Sequence, residues 1–185
     1  GTSTSDLSGG DIVIMARTPT HATPLAAGAA ATEVVRTIVL GLGNPLLTDD
    51  SVGLRVVDRL RPVLAGRPGL DLAEDYWGGL RLMERMVGFQ RAIVIDAMQS
   101  GSAPGTIHRL TPGSIPTQRS ASAHDVSLPT ALALGRQAGA LLPADDQILL
   151  VGIEAEDILT FGEECTPAVR AAIPLAVKEV LAALG

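Results

Sequence analysis

Asp49 and Asp50 stand side by side in the segment Gly41-Leu42-Gly43-Asn44-Pro45-Leu46-Leu47-Thr48-Asp49-Asp50-Ser51-Val52-Gly53. Asp96 closes the apolar run Ala92-Ile93-Val94-Ile95, and His124 lies in Ser122-Ala123-His124-Asp125. Adjacent carboxylates repel, so a fold that keeps both ionised must supply solvent or a cation beside them. A carboxylate at the end of a buried strand is costly without a partner. One carboxylate of the Asp49–Asp50 pair, Asp96 and the His124 imidazole together make an oxygen, oxygen, nitrogen donor set. Such a set suits a divalent ion such as zinc, nickel, iron, manganese or cobalt, and leaves positions open for water or substrate. The competing reading is local: either Asp49 or Asp50 could cap the helix that starts near Ser51.

The elements around these residues determine whether they can meet. Thr37-Ile38-Val39-Leu40 reads as a buried strand. A helix follows, with Val52, Val56, Val57, Leu60 and Leu64 at helical spacing, and Pro62 expected to kink or end it. Leu70 to Glu74 is a second strand, and a short helix spans about Leu80 to Val87. Ala92 to Ile95 is a third strand, Gly105 to Leu110 an edge strand, and Ser127 to Ala140 a helix with Pro129 in its first turn. Gln147 to Ile153 is the last strand. Thr166-Pro167 opens the final helix, with Thr as N-cap and Pro at the first helical position, and Val169, Ile173, Val177, Leu181 and Leu184 on one face. Pro174 argues against a straight helix there. Apolar strands alternating with amphipathic helices predict a three-layer αβα sandwich around a twisted, mostly parallel sheet of about five strands. In such a sheet ligands gather outside the carboxyl ends of the strands, where Asp49, Asp50 and Asp96 all fall. The segment before the Ser127 helix, with His124, belongs at the same edge.

Residues 1–33 are rich in Gly, Ser, Thr, Pro and Ala without periodicity and read as a disordered tail. Met15 is the candidate native start, with Gly1 to Ile14 an added leader. Residues 34–185 read as a single α/β domain. The formal charge of −6 provides no basic stripe for nucleic acid. No apolar stretch reaches the ~20 residues that span a bilayer, so no membrane association is expected. The single cysteine, Cys165, excludes a disulfide framework and fits a reducing cytoplasm; beside Thr166-Pro167 it reads as a packing residue. His108, mid-strand, reads as solvent-facing. There is no Gly-x-Ser-x-Gly elbow and no His-Glu-x-x-His helix. Gly41-x-Gly43 lacks the third glycine of a dinucleotide fingerprint.

The segment Gly41 to Gly53 resembles the opening motif of the NiFe-hydrogenase maturation endopeptidases. The likeness continues through Ile93-Val94-Ile95-Asp96-Ala97, Ser122-Ala123-His124-Asp125-Val126-Ser127-Leu128, Val151-Gly152-Ile153-Glu154, Thr160-Phe161-Gly162-Glu163 and Thr166-Pro167-Ala168-Val169. It therefore runs in order over residues 36–185. The resemblance implies a cytoplasmic endopeptidase that removes a C-terminal extension from the nickel-loaded precursor of a hydrogenase large subunit. It assigns Asp50, Asp96 and His124 as metal-binding and catalytic residues. Asp49 then becomes a neighbouring proton-transfer or supporting group, and Asp125 a residue that could orient His124. The metal implied is the nickel carried by the precursor, with another divalent ion such as zinc as the alternative. Gly78-Gly79 departs from the Gly-Thr of many members. Two other readings compete: a nickel-binding assembly chaperone without hydrolysis, and a peptidyl-tRNA hydrolase-like esterase. The esterase shares the Gly-Leu-Gly-Asn-Pro start but lacks support from the acidic charge.

Overall fold

The computed structural model describes residues 34–115 and 126–185. The tail, His124 and Asp125 lie outside the described residues. Five strands form one sheet: β1 (Thr37–Leu42), β2 (Leu70–Asp75), β3 (Arg91–Met98), β4 (Ile107–Leu110) and β5 (Ile148–Glu154), in the order β2-β1-β3-β5-β4. The β1–β2, β1–β3 and β3–β5 pairs are parallel, and only β4 runs antiparallel, along β5. Four helices cover it: α1 (Val52–Leu64), α2 (Gly79–Arg85), α3 (Leu128–Gln137) and α4 (Pro167–Leu184).

Strand alternation divides the core in two. Val39, Ile93, Ile95, Val151 and Ile153 pack with Val56, Val57 and Leu60 of α1 and Val169, Ile173 and Val180 of α4. Ile38, Leu40, Leu42, Ala92, Val94 and Ile148 face the other way, onto Leu82 and Met83 of α2 and Leu128 and Leu132 of α3. A βαβ crossover is right-handed almost without exception. The chain moves from β1 to β2 over one face and from β2 back past β1 to β3 over the other. The direction of winding thus reverses between β1 and β3, and their carboxyl ends part to leave the crevice where α/β sheets bind ligands.

Pro62 lies inside α1, which ends two residues later at Leu64. α4 continues through Pro174. Ser127 caps α3, its side chain accepting from the Thr130 N–H. Thr166 precedes α4 without a side-chain cap bond, because its hydroxyl points to Asp49.

Two glycines let α1 begin against the strand ends. A Cβ on Gly53 would lie 2.3 Å from the Leu42 carbonyl oxygen and 2.4 Å from that of Ile95. The first turn of α1 is therefore pressed onto β1 and β3 at the crevice. Gly43 has φ +141°, and a Cβ there would sit 1.8 Å from the Asp50 carbonyl oxygen. Gly53→Ala should lower stability by about 3 kcal/mol or more, since backbone must move to admit the methyl. Urea unfolding measures it, and an unchanged midpoint would contradict the packing described.

Candidate active site at the carboxyl edge of the sheet

The chain leaves β1 at Leu42 and folds back on itself. The Asn44 side chain accepts from the Leu46 N–H, and its carbonyl accepts from the Leu47 N–H. A single 3₁₀ turn, Asp49–Ser51, then leads into α1. Neither aspartate caps a helix; no side-chain cap bond forms at this turn or at α1.

The two aspartates do different things. Asp50 is half-buried, and its Oδ2 accepts the Asn44 N–H at 2.8 Å, closing the turn toward the crevice. Asp49 is fully buried. Its Oδ2 accepts the N–H groups of Glu156 and Asp157, both at 2.9 Å, and its Oδ1 that of Thr166 at 2.7 Å. The Thr166 hydroxyl completes the set at 2.9–3.0 Å. With both oxygens engaged by loop donors, this carboxylate anchors the connection from β5 to α4.

Asp96 follows Ala92 and Val94 in the same row of β3, on the α2–α3 side of the sheet, and the strand expected to end there continues to Met98. Burial and the charge of Asp50 push its carboxyl up to about 7, opposed by the Ala97 N–H. Three strands carry a carboxylate at this edge, and the contrast among them is informative. Asp75 of β2 is buried but meets Arg85 at 3.2 Å and Arg81 at 3.8 Å, and accepts the Tyr76 N–H. Glu154 of β5 is also buried and accepts from the Ser100 N–H, the Ser100 hydroxyl and the Gly101 N–H, at 2.7–2.8 Å. Burial alone would raise the Glu154 carboxyl, yet these donors, with His108, hold it below the usual range. Asp75 is thus paired with arginine, and Glu154 is held ionised by hydrogen-bond donors within the protein. Asp96 instead is raised by its burial and by the charge of Asp50 and, among the described residues, forms no salt bridge. Carboxylate oxygens of this kind are the donor type that a divalent cation takes.

Among the described residues no three acidic, histidine or cysteine side chains gather as a complete metal site. Of the three expected donors, Asp50 and Asp96 lie at this edge of the sheet, and His124 lies outside the described residues. His108, expected to face solvent, is instead half-buried, with Nε2 3.3 Å from Glu154 and no hydrogen-bond partner. Sequence reasoning gave no role to Asp75 or Glu154, although Glu154 carries the signal that singled out Asp96, an acid closing an apolar run. Cys165 is buried, and burial pushes its thiol up, which disfavours a thiolate nucleophile. Gly79 has φ +59°, and a Cβ there would lie 2.6 Å from the Val126 carbonyl oxygen. A threonine at this position would be strained, so the Gly78-Gly79 departure belongs with this local backbone.

Fold and site together define a doubly wound α/β protein with the Asp50 and Asp96 carboxylates at its switch point and, among the described residues, no arginine paired with either. The family model described as hydrogenase maturation protease matches residues 54–183. The Escherichia coli hydrogenase 2 maturation protease is 31% identical over 153 residues, covering 81% of this chain and 91% of that protein. A hydrogenase expression/formation protein, HoxM of Azotobacter vinelandii, is 29% identical over 78% of this chain and 70% of its own length. Among solved structures, the hydrogenase maturating endopeptidase HybD from E. coli superposes with a TM-score of 0.65 at 30% identity, covering 81% of this chain and 92% of that one. The chain belongs to the hydrogenase maturation protease family and is a hydrolase.

Proposed function

We propose that this protein is the endopeptidase that removes a C-terminal extension from the nickel-loaded precursor of a NiFe-hydrogenase large subunit. The observation that carries the reading is the Asp50–Asp96 pair: two carboxylates at the switch point, with Asp96 raised by its burial and by the Asp50 charge and, among the described residues, no arginine paired with either. Nickel held by the precursor is cargo of the substrate, and a metal offered there would relieve the repulsion between the two. Asp50 and Asp96 are the residues that would hold it, with His124 as third donor. Support for His124 comes from its neighbours. Val126, two residues further on, packs its carbonyl at Gly79 at the start of α2. α2 and α3 cover the face of the sheet to which the Asp96 row belongs.

The chemistry a bound metal supplies is charge neutralisation, and with it either proof of loading or polarisation of the scissile amide. The chain's own part is to present the Asp50 and Asp96 oxygens at the crevice, with the Asp96 carboxyl held up to about 7 so that a cation displaces its remaining proton. Among the described residues no helix is long and apolar enough to cross a membrane.

Incubating the purified protein with nickel-loaded precursor and weighing the product tests the proposal. Loss of a C-terminal peptide is expected, and its absence with His124→Ala. An intact precursor that remains bound would instead mark an assembly chaperone. Wild-type processing by His124→Ala would remove that residue from the site.

A further inference from the structure

The chain contains only four aromatic residues, and three of them are exposed at the edge that carries Asp50 and Asp96. Tyr76 (63% exposed) and Trp77 (55%) follow β2, and Phe161 (77%) lies between β5 and α4. Leu46 (62%) and Leu159 (81%) are exposed beside Phe161. A chain so poor in aromatics would bury them if core packing were their purpose.

The backbone that carries these side chains is tied down by hydrogen bonds. Leu47 and Phe161 form an antiparallel bridge, the Gly162 N–H donates to the Leu46 carbonyl at 3.1 Å, and the Thr48 N–H donates to that of Thr160 at 3.0 Å. On the other flank the Gly43 N–H donates to the Asp75 carbonyl at 3.2 Å, next to Tyr76. The segment that carries Asp50 is therefore tied on one side to the Leu159–Phe161 loop and on the other to the Tyr76–Trp77 loop. Fixed, exposed apolar groups on both flanks of a site mark a surface that another protein covers.

We propose that Leu46, Leu159, Phe161, Tyr76 and Trp77 form the docking surface for the folded precursor, which contacts them through an apolar patch with a basic margin. This rests on the function proposed above. The occupant follows from continuity: a protein delivering its peptide bond to Asp50 must lie across Leu46, four residues away and hydrogen-bonded to the Phe161 loop. The basic margin belongs to the Leu159–Phe161 flank, where Glu156 and Glu163 are exposed; beside Tyr76 and Trp77 the exposed Arg81 and Arg85 are held by Asp75. Pre-ordered anchors lower the ordering cost of association. Exposed aromatic anchors of this kind commonly dominate binding.

The test uses full-length protein and nickel-loaded precursor, with initial rates read from the mass or gel shift of the product. Leu159→Ser combined with Phe161→Ser removes two exposed side chains and should leave the urea midpoint unchanged. KM for the precursor should rise about tenfold or more, with kcat at saturation within about twofold. Trp77→Ala should raise KM in the same direction. Leu141→Ser, 78% exposed and hydrogen-bonded through its carbonyl to Gly88 at the opposite edge, is the control and should leave KM unchanged. Raising salt should increase the wild-type KM. If wild type processes precursor and the double variant does so with the same KM, the docking surface is wrong while the function stands. If wild type neither binds nor processes precursor, both fall. If sedimentation shows a wild-type dimer that the double variant dissolves with KM unchanged, the patch joins two copies of this chain and the proposal is overturned.

Discussion

Asp96→Asn should abolish precursor processing while making the metal-free protein more stable above neutral pH. The two effects share one cause. Burial and the Asp50 charge lift the Asp96 carboxyl from 3.8 to about 7. A group whose pKa is higher in the folded state than in the unfolded chain favours folding while it is protonated in both. That contribution is intact below about pH 4 and is lost as the pH climbs toward 7. About three units correspond to roughly 4 kcal/mol at most, and partial exposure of Asp96 reduces this to about 2–4 kcal/mol. Asparagine keeps the shape without the charge, so the variant should melt roughly 5–10 °C higher than wild type at pH 8 and show a flatter dependence on pH. The same substitution removes an anionic donor from the pair, and processing should fall by about a thousandfold or more. Thermal melts from pH 4 to 9, with the precursor mass assay alongside, provide both readouts. A variant that processes at wild-type rate, or that melts lower at every pH, would contradict the account.

Regular structure was legible in the sequence because the sheet is almost wholly parallel and buried on both faces, which writes Ile38 to Leu40, Ala92 to Ile95 and Ile148 to Ile153 as unbroken apolar runs. Asp96 was legible for the same reason, since a charge ending such a run stands out. What was not legible is the pairing of residues that only the sheet order brings together. His108 reads as solvent-facing because β4 alternates weakly, but β4 lies antiparallel along β5 with His108 opposite Gly152. That register places its ring against Glu154, 46 residues away. Glu154 gave the same signal as Asp96, whereas Asp75 ends a strand already broken by Asp71 and Glu74; their partners, Ser100 and Gly101 for one and Arg81 and Arg85 for the other, mark them as structural acids.

The Asp49–Asp50 pair is the hardest case, because adjacency in sequence suggests a shared role. A 3₁₀ turn rotates successive side chains by about 120°, so the two carboxylates part. Asp50 turns back to Asn44, and Asp49 turns to the loop between β5 and α4. That loop connects the Asp49 anchor to the exposed Phe161. Asp49→Asn should therefore act first on stability. The variant keeps the volume but presents an NH₂ group to a cluster made of donors, leaving at least one buried N–H unpaired and weakening charge-assisted bonds. The expected loss is about 3–5 kcal/mol. Thr166→Val, which removes only the hydroxyl, should cost about 1 kcal/mol, and the pair should be non-additive because both act on one network. Urea unfolding of the two single variants and the double variant completes the cycle. A proton-transfer group would behave in the opposite way: Asp49→Asn would unfold at the wild-type midpoint while precursor turnover collapsed. That result would move Asp49 from the scaffold into the chemistry.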